Sequence, residues 1–108
     1  MDWVSELRHG FRQLPTGQAA GVSFADREDA IGDVGREFNA LAAALGEAGP
    51  GGLGREQVHA LRNRLAGILA ALHVLRAGEE LSSEQKEELR DVFEEARKLD
   101  AAWRGGRA

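Results

Sequence analysis

His59, Arg62 and Asn63 stand at i, i+3 and i+4, so on a helix they share one patch of surface. A neutral imidazole with a free lone pair is a nucleophile that can take a phosphoryl group, provided the donor can approach in line. A guanidinium one turn away can pair with phosphoryl oxygens through charge-assisted hydrogen bonds. The Asn63 carboxamide could hold a water or touch an acidic partner. Taken singly, each has a plainer reading: a histidine beside an apolar stripe is ordinary helix surface, and Arg62 and Arg64 could serve only as ion-pair partners. His73 lies fourteen residues from His59, roughly 21 Å along a helix axis, too far to share a metal. With His9 it reads as a surface or boundary residue. The chain has no cysteine, which excludes disulfides, thiol nucleophiles and cysteine-ligated metals. No metal or cofactor site is expected.

The element that must position the three runs from Arg55 to Ala77. Val58, Leu61, Leu65, Ile68, Leu72 and Leu75 recur there at alternating steps of three and four, the seam of a helix packed against other helices. His59 is one residue past Val58, about 100° round the helix, which places it on the flank of the seam. Beyond this helix Gly78 suits a left-handed cap. Ser82 with Gln85 has the spacing of a capping box. A last helix then carries Leu89, Val92, Phe93, Ala96, Leu99 and Trp103 as its stripe. Two helices of matched length, roughly 31–34 Å, joined by a short turn, make an antiparallel hairpin. Alone, such a hairpin leaves part of each stripe wet, so pairing of two copies into a four-helix bundle is the expected remedy.

Upstream, Trp3, Val4, Leu7, Phe11 and Leu14 are spaced as a helix interrupted in pattern only by Gly10 and stopped by Pro15 and Gly17. An irregular connector follows from Gln18 to Glu28, with Val22 and Phe24 able to pin it to a core. Asp26 or Asp29 can cap a second helix whose stripe is Ile31, Val34, Phe38, Leu41 and Leu45. Gly46 and then Gly49-Pro50-Gly51-Gly52 and Gly54 break the chain, which predicts loose coupling between the two halves. The organisation expected is a helix-connector-helix module over 1–48, a linker over 49–54 and a helical hairpin over 55–104, all-α throughout. Trp3, Phe11, Phe38, Phe93 and Trp103 are expected in the core, and the Glu-rich run 79–95 as a solvated face.

A net charge of −4 without a basic block argues against nucleic acid as the main partner. The longest apolar run, Ala40 to Leu45, is far too short to span a bilayer, and no signal peptide is visible. The cytoplasm is the expected compartment.

The segment His59-Ala60-Leu61-Arg62-Asn63-Arg64-Leu65 resembles the phosphoacceptor box of sensor histidine kinases, usually H-E/D-L-R-T/N-P-L. It matches at His59, Leu61, Arg62 and Leu65, with Asn63 an accepted variant. Residues 55–104 then resemble the dimerisation and histidine-phosphotransfer module of that family. Asp29-Ala30-Ile31-Gly32 and Glu37-Phe38-Asn39-Ala40-Leu41 are similar to the D-E-x-G and A-F-N-x-M segments of HAMP relay domains, which form parallel dimeric four-helix coiled coils. The resemblance implies two-component signalling: a homodimer that exchanges a phosphoryl group between His59 and the aspartate of a response-regulator receiver domain. Arg62 would hold the phosphoryl oxygens, and Asn63 would take the position that assists dephosphorylation. A kinase ATP-binding domain in trans is a further candidate partner. Two departures bear on mechanism. Ala60 replaces the acidic residue that acts as base when phosphate arrives from ATP, and Arg64 replaces the proline that bends the helix. The chain carries neither a phosphate-binding G-x-x-x-x-G-K-S/T loop nor the D-x-G-x-G and asparagine boxes of a kinase. A phosphotransfer module, free-standing or part of a larger kinase, is thus expected rather than a complete kinase. The alternative is a helical dimer that binds or inhibits a kinase or receiver without carrying phosphate. A generic coiled-coil adaptor ranks last.

Overall fold

A computed structural model describes residues 2–16, 21–48 and 54–105. These form four α-helices, α1 (Trp3–Gln13), α2 (Ala30–Ala48), α3 (Arg55–Gly78) and α4 (Ser83–Gly105). Short 3-10 turns occupy Leu14–Thr16 and Ser23–Asp26, and the described residues contain no strand. The all-α expectation holds. The stop at Gly17, the start of the connector at 18–20 and the Gly49-Pro50-Gly51-Gly52 breaker lie outside the described residues.

Each helix begins where its sequence offers an acceptor for otherwise unpaired N–H groups. Asp2 accepts from the Ser5 N–H at 2.8 Å to open α1. Asp29 accepts from the Gly32 N–H at 3.0 Å to open α2, deciding between the two candidate caps. At α3, Gln57 reaches back to the Gly54 N–H at 2.7 Å. The Ser82–Gln85 box closes in both directions, at 2.9 and 3.0 Å. Gly78 departs from expectation. It lies within α3, and Glu79, in extended backbone, donates its N–H to Leu75 O at 2.8 Å. The helix ends where Glu79 turns into extended backbone, without a left-handed residue. Likewise α1 runs through Gly10 and α2 through Gly46.

The predicted stripes meet in one core, except for Val58 at the start of α3, which is half-buried and stands outside it. Helix α1 lies against α4, α2 against α3, and α3 and α4 form the antiparallel hairpin. Val4, Leu7 and Phe11 join Ile31, Val34, Phe38 and Leu41, the α3 residues Leu61, Leu65, Ile68, Leu72 and Leu75, and the α4 residues Leu89, Val92, Ala96 and Leu99 in a single buried cluster. Full burial of each large side chain contributes about 1.5–3 kcal/mol. The Phe11 and Phe38 rings pack together with their centroids 5.2 Å apart. The Phe38 ring fills the space over Gly10, where a Cβ would approach it to 2.7 Å. Trp3, Phe93 and Trp103 are only half-buried at the rim. The halves before and after the linker thus share a core, rather than being joined loosely. The inner faces of the hairpin, which called for a second copy, are covered by α1 and α2 of the same chain. Overall dimensions of 41 × 25 × 20 Å fit one bundle of helices. Val74, 71% exposed, is the large hydrophobic left open among the described residues.

Polar contacts at the rim fix the register. Ser5 donates to the Glu88 carboxylate at 2.8 Å, and Arg8 stands 3.1 Å from Asp91, in ion-pair range but without hydrogen-bond geometry. Part of the Glu-rich run therefore holds α1 and is not simply solvated. Arg64 pairs with Glu37 at 3.0 Å between α3 and α2. The connector is less irregular than its sequence suggests. Val22 and Phe24 are buried, Asn39 accepts from the Val22 N–H at 2.7 Å, and Glu6 accepts from the Ser23 N–H at 2.7 Å. Arg36 donates to the carbonyls of Ala25 and Arg27 at 2.7 and 2.9 Å. Asp29 and Gly32, which carry the relay-like motif, thus have local structural work in this chain.

Candidate functional site

Helix α3 carries a second stripe beside its buried seam. His59, Arg62, Ala66, Leu69 and His73 follow one another by three or four residues on the flank of the Leu61–Leu75 row. On α4, Phe93, Ala96, Arg97 and Asp100 occupy the matching flank. Between them lies an open groove of about 500 Å³ on the crease of the hairpin, lined by all of these side chains and by Asn63 and Leu65. Its floor is apolar. One end is polar, with His59, Arg62, Asn63 and Asp100.

The three sequence-predicted residues are therefore brought together. His59 and Asn63 are exposed and Arg62 is half-buried. The imidazole sits on the flank, where a visiting group can reach it. Ala60, next along the helix, is exposed and offers no acid or base. Arg62 is held by a partner that sequence reading did not name. Its Nε donates to Asp100 Oδ1 at 2.8 Å, and Arg104 Nε lies 3.2 Å from the other oxygen of the same carboxylate. Arg97 is tied to Glu94 on its own helix at 2.9 Å. At the far end of the groove His73, exposed as expected, stacks on Phe93, ring centroids 4.5 Å apart and planes at 29°. His9 is exposed.

A signal for Asp100 was present in the hairpin itself. Counting outward from the turn at Leu81, nineteen steps back reach Arg62 and nineteen forward reach Asp100, half of their separation of 38 each way. His59 and His73, fourteen residues apart, are also close to a whole number of turns, and so share a face although not a metal site. Among the described residues no group of three or more histidine, aspartate or glutamate side chains is gathered to hold a metal ion. No helix among them is long and apolar enough to cross a membrane.

Comparison with protein-family models, with curated proteins and with solved structures finds no match to this chain.

Proposed function

We propose that this chain is a histidine phosphotransfer module of two-component type, carrying a phosphoryl group on His59 and exchanging it with the aspartate of a receiver domain. One observation carries the reading: an exposed imidazole stands at the mouth of a groove beside a guanidinium and a carboxamide spaced for one helix patch. In the transfer an imidazole nitrogen attacks phosphorus and a new N–P bond forms. The acyl-phosphate P–O bond breaks, its electron pair leaves with the aspartate carboxylate, and the other ring nitrogen passes its proton to water. Arg62 balances charge on the phosphoryl oxygens. Asn63 orients water or the partner's acidic site. The lack of an acid at position 60 supports entry of phosphate from a receiver rather than directly from ATP.

The proposed unit is a single chain. A homodimer built on the inner hairpin faces would have to displace α1 and α2, and one built on the outer crease would cover His59. The second reading, a helical partner that binds or inhibits a kinase or receiver without carrying phosphate, is favoured by Ala60 and by the engagement of Arg62 with Asp100. Incubation with a receiver domain phosphorylated on its aspartate separates the two. Acid-labile label on the wild type and none on His59→Ala is expected. Unlabelled wild type, or equal label on His59→Ala, defeats phosphotransfer, and binding that survives His59→Ala then favours the second reading.

A further inference from the structure

Arg62 and Asp100 form an ion pair across the mouth of the His59 groove, at 2.8 Å and with side chains 34% and 30% exposed. Solvent screens a pair this open. The carboxylate serves a second guanidinium, that of Arg104 at 3.2 Å, so two arginines share one acidic group. Among the described residues no hydrogen bond or ion pair engages the terminal nitrogens of Arg62, its Nε being the atom that meets Asp100. A phosphate-class oxyanion offers several charged oxygens to a guanidinium and is a stronger ligand than one screened carboxylate oxygen. Were Asp100 to release Arg62, it would not be stranded, because Arg104 remains on its other oxygen.

We propose that the His59 end of the groove is an oxyanion site of phosphate class in which Asp100 is the resident competitor. Its carboxylate holds Arg62 in the groove, gives it up to an incoming phosphate or phosphoryl oxygen, and falls back on Arg104. The phosphotransfer reading supplies the covalent carrier, His59; the anion site itself consists of Arg62 and Asp100 with Asn63 beside them. Two effects of Asp100 oppose each other. Ordering of Arg62 favours the anion, whereas the negative charge repels it and competes for the same N–H groups. Ordering one long side chain is the smaller effect, since a dianion within several ångströms of a carboxylate in a partly wet groove is strongly disfavoured. Removal of the charge should therefore tighten anion binding, the opposite of what loss of a merely supporting residue would do.

The test is a titration of the full chain with inorganic phosphate at constant ionic strength, following the Arg62 Nε–H and His59 ring resonances, with chloride as the control. Saturable shifts specific to phosphate are expected in the wild type. Asp100→Asn, close in shape and neutral, should tighten the dissociation constant by about fivefold. Arg62→Ala should abolish the response, and in that background Asp100→Asn should change nothing. Arg104→Ala, at a more exposed position, should weaken phosphate binding because Asp100 then has no fallback. It gives an independent reading if Asp100→Asn fails to fold. Unchanged or weaker binding in Asp100→Asn, tightening that persists without Arg62, or unchanged or tighter binding in Arg104→Ala overturns the proposal. Treatment with phosphoramidate distinguishes the source of the anion: an imidazole N–P bond forms as the donor's N–P bond breaks and ammonia leaves with the proton. A phosphohistidine that hydrolyses several-fold more slowly in Asp100→Asn shows the site serving the covalent group. If phosphate binds as stated but His59 takes no label, the site stands for free phosphate and the phosphotransfer reading falls. If His59 is labelled while phosphate binding ignores Asp100, the site falls and that reading survives.

Discussion

An added methyl has opposite consequences at two of the glycines. At Gly32 a Cβ would stand 1.9 Å from the Arg27 carbonyl oxygen, a backbone atom also used by Arg36. The turn into α2 cannot shift without losing that bond, so Gly32→Ala should destabilise the fold by about 2–3 kcal/mol. At Gly67, on the exposed side of α3, a Cβ meets nothing within 4 Å. There alanine only improves helix propensity, and Gly67→Ala should stabilise by about 0.5–1 kcal/mol. Urea midpoints of the two variants on either side of the wild type would bear this out; a stable Gly32→Ala would mean that the approach of Arg27 is dispensable. Next to this turn, Asp29 is held below the usual aspartate range, first by hydrogen bonding from Arg27 and then by the Gly32 N–H. A carboxyl depressed in the folded state gives its stabilisation in full above its unfolded value, about 3.9, and loses it as pH falls from there through the folded value. The stability gap between wild type and Asp29→Asn should therefore be present at pH 7 and shrink in acid. A gap of constant size from pH 7 down to about 2.5 would show that the charge on Asp29 contributes nothing.

At the level of elements, the connector between α1 and α2 is held by side chains that look unremarkable in sequence. Asn39 ties Val22 to α2 through its N–H at 2.7 Å, with a longer contact to the Val22 carbonyl at 3.4 Å. Asn39→Ala leaves that N–H beside a buried residue without its acceptor, at a cost of about 1–3 kcal/mol. Hydrogen exchange at Val22 should rise well before that of the α3 core amides; uniform exchange across the molecule would argue against a locally pinned connector. The helices were legible because period and caps agreed. The Leu61–Leu75 row, the Ser82–Gln85 box and the Ile31–Leu41 row all name residues now buried or bonded as their spacing requires. Gly78 misled because α3 ends by Glu79 turning into extended backbone, without the left-handed residue that a glycine invites. The site was half legible. Its α3 side follows from helical spacing, whereas Asp100 and Phe93 belong to the facing helix, and their place depends on the register of the hairpin.

For the whole molecule, the decisive quantity is how the apolar faces of the hairpin are covered. A hairpin alone exposes Leu61, Leu65, Ile68, Leu72, Leu89, Val92 and Leu99, and at about 1.5–3 kcal/mol for each fully buried side chain it would gain by pairing with a copy of itself. In the full chain α1 and α2 already occupy those faces, closed by Phe11 against Phe38 at 5.2 Å and by Arg64 against Glu37 at 3.0 Å. Self-association must then compete with covering that is intramolecular and so independent of concentration. The full chain should run at its own mass, 11.6 kDa, over a wide range of concentrations in light-scattering chromatography. A fragment reduced to α3 and α4 should run at twice its own mass, or lose helicity on dilution. A full chain at twice 11.6 kDa that keeps His59 open to chemical phosphorylation would instead mean that two copies pair through a face other than the groove. The single-chain account would then give way to a dimer whose two phosphate sites face outward.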